Sequence, residues 1–373
     1  MSPALLTFAG LVVLTASCGT VPHPKTDVDQ AELKQHGLRA VMARHLAQAS
    51  ALAQGEPKTA IRHLEIAFKL SQGLIDDRVL RAATNDMPAG SLKGDLGRVY
   101  AVARAQEAFA SDKAAEVKLL LKAKHPVLDL TEARRSLLLA LVQVASDPEA
   151  AKLGLTLLAN AGLDSEAGKE LQSLARTTAA SIDFDRERLG PAIKAYLRVS
   201  EESGYWRIAR TAISWALYQL GKYDRALAGL KLLPGGPGGD PERALLGAVC
   251  LHQGGKTAEA VATLDAALAT KTAWLQTKLL PAQVLASIAG DEAGAGLVGA
   301  VAFHPPLRLL GREIAATDTA LAKVAPDHRA DLATYRAKAW KSFVGMVERQ
   351  IPVQHERVER AFKQLEVLKP QLK

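Results

Sequence analysis

The sequence predicts an all-helical protein built of stacked helical hairpins, and three observations support this fold class. Hydrophobic residues make up 48% of the 373 residues but aromatic residues only 5%. The core is therefore expected to consist of aliphatic and small side chains, which favour helix and let helices approach closely. Runs of alternating β-branched and polar residues, which strands require, are missing between the turn signals. Glycine turns and alanines also recur at a fixed spacing.

The chain begins with a short apolar segment over residues 8–16, FAGLVVLTA. It is shorter than the ~20 residues that span a bilayer, and it is typical of the apolar core of a signal peptide. The adjoining residues 14–18, LTASC, resemble the lipobox of bacterial lipoproteins, in which a small residue precedes a cysteine that becomes lipidated. The resemblance implies a signal peptide over residues 1–17 and lipid attachment at Cys18. An ordinary cleaved signal peptide is the alternative.

Residues 18–30 are polar and contain prolines, so we expect a lipidated tether that joins the anchor to the folded body. Gly19, rather than Asp, follows the cysteine. By resemblance to enterobacterial sorting, this residue implies the periplasmic face of the outer membrane. Lipidation of Cys18 would leave Cys250 without an intrachain partner, since the chain has only two cysteines. The apolar sequence around Cys250 predicts a buried core residue rather than a reactive thiol.

A 34-residue period is clearest between residues 173 and 272. Gly221 and Gly255 are 34 residues apart, as are Ala226 and Ala260, and Ala192 lies another 34 residues upstream. Each glycine is expected to end a first helix in the left-handed conformation, which costs glycine little. Each alanine is expected to lie where the two helices of a hairpin cross, because a larger side chain there would push them apart.

This period, with two helices in each unit, is typical of tetratricopeptide (TPR) repeats. The segment LGAVCLHQGGKTAEAVATLDAAL resembles the TPR pattern, as does LAQGEPKTAIRHLEIAFKL near the start of the chain. The positions that carry the resemblance are Gly255, Ala260, Leu264 and Ala267 in the first segment, and Gly55, Ala60, Leu64 and Ala67 in the second. The resemblance implies that residues 31–304 form a TPR-like right-handed α-solenoid. A generic helical bundle and a different α-solenoid are the alternatives.

Local signals place several helix boundaries. Asp147-Pro148 and Asp240-Pro241 predict helix starts, with an aspartate as N-cap and a proline at the first helical position. Residues 305–373 are predicted to form a C-terminal helical cap, with longer helices near 306–324, 327–349 and 353–369. The last of these helices places Val358, Phe362 and Leu365 on one stripe opposite charged residues. A polar outer face of that kind suits the end of a solenoid.

No motif predicts an active site. Residues 254–257, GGKT, resemble the end of a phosphate-binding loop, but Cys250 stands where the first glycine is needed, and a helix rather than a strand precedes it. The nine histidines form no metal-binding motif, and the nearest pair, His45 and His63, has no acidic third ligand placed beside it. Basic residues do not alternate with aromatic ones as in nucleic-acid-binding proteins. We therefore expect no enzyme activity, cofactor, metal, nucleic acid or small-molecule substrate.

The sequence instead predicts a non-catalytic scaffold or assembly factor that binds other envelope proteins. In TPR proteins the first helix of each repeat lines a groove for the partner, and the repeat register carries six positions onto this chain. These positions are Thr211, Trp215 and Tyr218 in one repeat and Leu245, Val249 and His252 in the next. An open alternative is that Trp215 and Tyr218 only pack between repeats. A second hypothesis is a cell-wall or envelope-polymer binding factor that uses the basic residues 305–373, which carry +5 of the net charge of +8.

Overall fold

A computed structural model of the chain describes residues 37–71, 92–122, 129–233, 240–276, 278–290, 296–302 and 304–372. This part of the chain forms 17 helices and no strand, which confirms the all-α fold class. The predicted signal peptide (1–17) and lipidated tether (18–30), with Cys18, lie outside the described residues. None of the described helices is both long enough and apolar enough to cross a membrane.

The first twelve described helices form six hairpins. In chain order they are α1 (Leu38–Leu52) and α2 (Pro57–Ser71); α3 (Gly94–Ala110) and α4 (Ala114–Leu120); α5 (Leu130–Gln143) and α6 (Pro148–Ala159); α7 (Glu166–Asp185) and α8 (Leu189–Tyr196); α9 (Trp206–Gln219) and α10 (Tyr223–Lys231); and α11 (Pro241–Gln253) and α12 (Thr257–Ala269). Five more follow, namely α13 (Lys271–Leu275), α14 (Pro281–Ala289), α15 (Gly296–Ala302), α16 (Pro305–Leu321) and α17 (Pro326–Gln371).

The predicted local signals are confirmed. The Asp147 side chain accepts a hydrogen bond from the backbone N–H of Ala150 at the start of α6, and Asp240 does the same for Arg243 in α11. Gly221 and Gly255 adopt φ values of 71° and 77° in the turns that end α9 and α11. A residue with a Cβ atom would be strained at those values, so the glycines define the turns.

The hairpins from α3 to α12 are arranged in two layers. The first helices α3, α5, α7, α9 and α11 contact one another in chain order. Each second helix packs on its own hairpin partner. The helices α4, α6, α8 and α10 also pack on the first helix of the following hairpin, as α6 does with α7. We call the layer of second helices, α4, α6, α8, α10 and α12, the outer layer. The buried hydrophobic residues of these hairpins form several clusters, each shared by neighbouring helices.

Small residues lie where the helices of a hairpin meet. Ala226 in α10 and Ala260 in α12 are fully buried, as are Ala60 in α2 and Ala192 in α8. Ala260 belongs to one hydrophobic cluster with Ala244 and Ala248 of α11. The sequence register within these hairpins therefore agrees with the packing.

Ala260→Leu is expected to lower the free energy of unfolding by about 1–3 kcal/mol, because three extra carbon atoms would overpack the contact between α11 and α12. Ala258 lies on the same helix but is exposed, so Ala258→Leu should change stability by less than about 0.5 kcal/mol. Urea denaturation of both variants measures the difference. Equal midpoints would show that the assigned register is wrong.

The C-terminal region differs from its prediction in helix length. A single helix, α17, runs for 46 residues from Pro326 to Gln371 with Pro352 inside it, so the expected break between residues 349 and 353 is wrong. Pro352 removes one backbone hydrogen bond. Buried side chains on both sides, Val347 before it and Val358 after it, hold the helix in place. Tertiary packing here outweighs the local preference of proline.

The same helix also differs from its prediction in position, because it is not confined to the end of the stack. Its first half packs on α1, where Leu332 and Tyr335 join Val41 and Met42 in one hydrophobic cluster. Its second half packs on helices α11 to α15. The predicted apolar stripe of Val358, Phe362 and Leu365 is buried there, in the same cluster as Ala260 and its neighbours. These contacts cross the boundary predicted between residues 304 and 305.

Candidate functional site

Three aromatic residues meet where α9 turns into α10. The ring centroids of Trp215 and Tyr218 lie 6.0 Å apart in an edge-to-face arrangement, and those of Tyr218 and Tyr223 lie 5.8 Å apart. Both geometries are favourable for aromatic pairs. All three side chains are half-buried. We call Trp215, Tyr218 and Tyr223 the aromatic patch.

The members of the aromatic patch differ in how they pack. Trp215 contacts two hydrophobic clusters, one formed mainly by α5 to α9 and the other by α10 and α11. Tyr218 and Tyr223 contact only the second cluster. Burial, followed by the proximity of Cys250 and Tyr223, raises the pKa of Tyr218. Trp215 therefore packs against both clusters, whereas the two tyrosines pack against the second cluster.

The other four predicted groove positions lie on α9 and α11. Thr211 is half-buried on α9, and Val249 on α11 packs against the same cluster as Tyr218. His252 lies at the turn between α11 and α12, where its Nδ1 atom is 3.3 Å from the Thr257 hydroxyl. Leu245 instead packs against the cluster that contains α17. The structure thus brings Trp215, Tyr218 and Val249 together and places Leu245 elsewhere.

The chain's own C-terminal helix explains the different surroundings of Leu245. Arg357 of α17 forms an ion pair with Glu242 in the first turn of α11. Farther along α17, Glu366 accepts a hydrogen bond from Lys271 at 2.5 Å, and Lys369 pairs with Asp265 of α12. The N-terminal part of α11 is therefore in contact with α17, whereas Tyr218 and His252 lie at the C-terminal ends of α9 and α11.

Some of the basic residues of the C-terminal region have acidic partners within the chain. Five of its cations form ion pairs with carboxylates, namely Arg336 with Asp318, Arg357 with Glu242, Arg360 with Glu356, Lys363 with Glu359, and Lys369 with Asp265. Three of these carboxylates, Asp318, Glu356 and Glu359, belong to the same region and are already counted in its net charge of +5. Only Glu242 and Asp265 come from other helices.

Two groups with possible chemistry have ordinary structural explanations. Burial raises the pKa of the Cys250 thiol to about 12, so it stays protonated at neutral pH and is a poor nucleophile. The Nδ1 atoms of His45 and His63 lie 2.7 Å apart, close enough to share a proton. Burial, with Arg62 and Arg44 close by, lowers the pKa of His63. Among the described residues, no group of three or more histidine, cysteine or acidic side chains could hold a metal ion.

Sequence reasoning missed Tyr223 and the exposed leucines of the outer layer. Tyr223 follows the Gly221 turn directly, so its proximity to the end of α9 could have been deduced from the turn. Leu153 and Leu157 are both well exposed on α6, whereas Leu155 and Leu158 are buried. The signal was present in the sequence, because a helix with apolar residues on opposite faces cannot bury all of them against one neighbour.

No family model matches this sequence, and no curated protein or solved structure matches it either. Functional inference therefore depends on the residues and contacts of the chain itself.

Proposed function

We propose that this protein is a non-catalytic scaffold of TPR type that binds another protein of the bacterial envelope. Its right-handed stack of hairpins would be held at the periplasmic face of the outer membrane by a lipid on Cys18. The partner would contact the C-terminal ends of α9 and α11. The aromatic patch is the observation that carries this proposal, and the lipobox-like residues 14–18 support the anchor.

The aromatic patch has the properties of an interface anchor. Aromatic side chains that are partly desolvated before binding lose little conformational freedom on binding and often dominate interface energies. Tyr218 and Tyr223 contact each other and the cluster around Cys250, so their positions are set in advance. Each is also only half-buried, which leaves a partner surface to cover. Val249 adds an aliphatic neighbour on α11.

Site-specific photocrosslinking in intact cells tests this site. A benzophenone amino acid at Gln219, an exposed residue next to Tyr218, is expected to form a discrete adduct with one envelope protein. The same amino acid at Thr156, exposed on the outer-layer helix α6, serves as the control and should not form that adduct. Identical adducts from both positions would contradict a partner site at the aromatic patch.

Adding Tyr218→Ala and Tyr223→Ala to the Gln219 probe should remove the adduct, because the proposed anchors are lost. Circular dichroism would verify that the variant is folded. Trp215 is unsuitable for this purpose, since its contacts with two clusters make its truncation destabilising. An adduct that persists in the folded double variant would exclude the tyrosines as anchors.

A further inference from the structure

The outer layer exposes five leucines, which lie on or directly after four of its helices. The residues are Leu119 on α4, Leu153 and Leu157 on α6, Leu197 just after α8, and Leu232 just after α10, and their exposed fractions run from 51% to 73%. Single exposed leucines are ordinary on protein surfaces, but a series of them along one layer marks an interaction surface. We call these five residues the leucine row.

Four of the five leucines of the leucine row share a register. Leu119 and Leu153 are each six residues after the N-cap residue of their helix, and Leu157 and Leu232 are each ten residues after theirs. Positions six and ten are one turn apart, so they lie on the same side of a helix. The opposite side of α6 is filled by the buried residues Ala151, Leu155 and Leu158. The exposed leucines are therefore not needed to fill the core.

Exposed cations lie on or directly after three of the four helices that carry the leucine row. The four helices, each taken with the two residues that follow it, carry six exposed cationic side chains and two exposed acidic ones. The cations are Lys118, Lys122, Lys194, Arg198, Arg225 and Lys231, and the acidic residues are Glu149 and Asp224. Glu149 already forms ion pairs with Arg186 and Arg188. This surface thus combines aliphatic side chains with a clear excess of positive charge.

We propose that the leucine row and its cations form a docking surface for an anionic lipid bilayer. The leucines would enter the boundary between headgroups and acyl chains, while the lysines and arginines contact lipid phosphates. A second copy of the chain fits the surface less well, because a two-fold interface would place the same cationic face against itself. Bilayer docking goes beyond the proposed partner site, and it orients the first-helix layer, with α9 and α11, away from the membrane.

Vesicle cosedimentation of the full chain carrying Cys18→Ala tests this proposal, since no acyl chain then contributes to binding. The protein is expected to sediment with vesicles that contain phosphatidylglycerol, and much less with pure phosphatidylcholine. Added salt should weaken the binding because it screens the cations. Leu153→Ser combined with Leu157→Ser should weaken binding about tenfold or more, because two aliphatic side chains no longer leave water.

The matched control is Leu280→Ser combined with Val367→Ser, since both residues are exposed but lie off the outer-layer helices. This pair should bind like the parent chain, and the melting temperatures of both pairs should stay near that of the parent. Equal binding by the two pairs would overturn the proposal, as would binding that ignores lipid charge and salt. A dimer that forms without vesicles and is lost with Leu153→Ser and Leu157→Ser would assign the surface to a second copy instead.

Discussion

Replacing Glu313 by alanine is expected to lower the free energy of unfolding by about 3–5 kcal/mol, the usual cost of removing one partner of a buried ion pair. Glu313 on α16 is only 3% exposed. Its two carboxylate oxygens accept hydrogen bonds from Nε and Nη2 of Arg39 on α1, both at 2.9 Å. The Tyr335 hydroxyl of α17 lies 3.4 Å from the same carboxylate. Removal of the carboxylate would leave the Arg39 guanidinium in a largely desolvated position.

Chemical denaturation measures this effect, and the chain supplies a control on the same helix, α16. Asp318 of α16 pairs with Arg336 of α17 at 2.9 Å, but the pair is substantially exposed. Asp318→Ala should therefore cost only about 0–1 kcal/mol. Glu313→Gln retains the side-chain volume and one acceptor oxygen, so an intermediate loss is expected. Equal losses for Glu313→Ala and Asp318→Ala would show that the buried pair does not join α1 to the C-terminal helices energetically.

Replacing Cys18 by alanine is expected to move nearly all of the protein out of the membrane fraction. Each acyl methylene buried in the bilayer contributes about 0.8 kcal/mol, and lipoproteins carry several acyl chains, so no other single substitution should change localisation as much. Fractionation of cells followed by immunoblotting measures the result. The membranes should be washed at high salt, because salt screens any attraction between the cations of the outer layer and anionic lipid.

Cys250→Ala is the matched control, since Cys250 is buried in α11 and cannot carry a lipid. This variant should remain in the outer-membrane fraction. A Cys18→Ala protein that still sediments with outer membranes after the salt wash would refute lipid attachment. The leucine row would remain separately testable, because its vesicle experiment uses the Cys18→Ala chain.

The sequence by itself determined those features that depend on a few neighbouring residues. The turns at Gly221 and Gly255 follow from backbone sterics. The helix starts at Asp147 and Asp240 follow from hydrogen bonds between each aspartate side chain and the backbone N–H three residues later. The burial of Ala260 was also predictable, because the 34-residue period places it where the two helices of one hairpin cross. Such interactions have nearly the same energy in any fold that contains the hairpin.

Only the tertiary structure decided how distant segments meet. The pairing of Arg39 with Glu313 joins residues 274 positions apart, and no local pattern links them. The sequence predicted a break between residues 349 and 353, but side chains buried on both sides of Pro352 keep α17 continuous. Packing also places Trp215 against two clusters, and Tyr218 and Tyr223 against one of them. These outcomes depend on the apolar area buried when whole surfaces meet, and that area is a property of the assembled chain rather than of any segment.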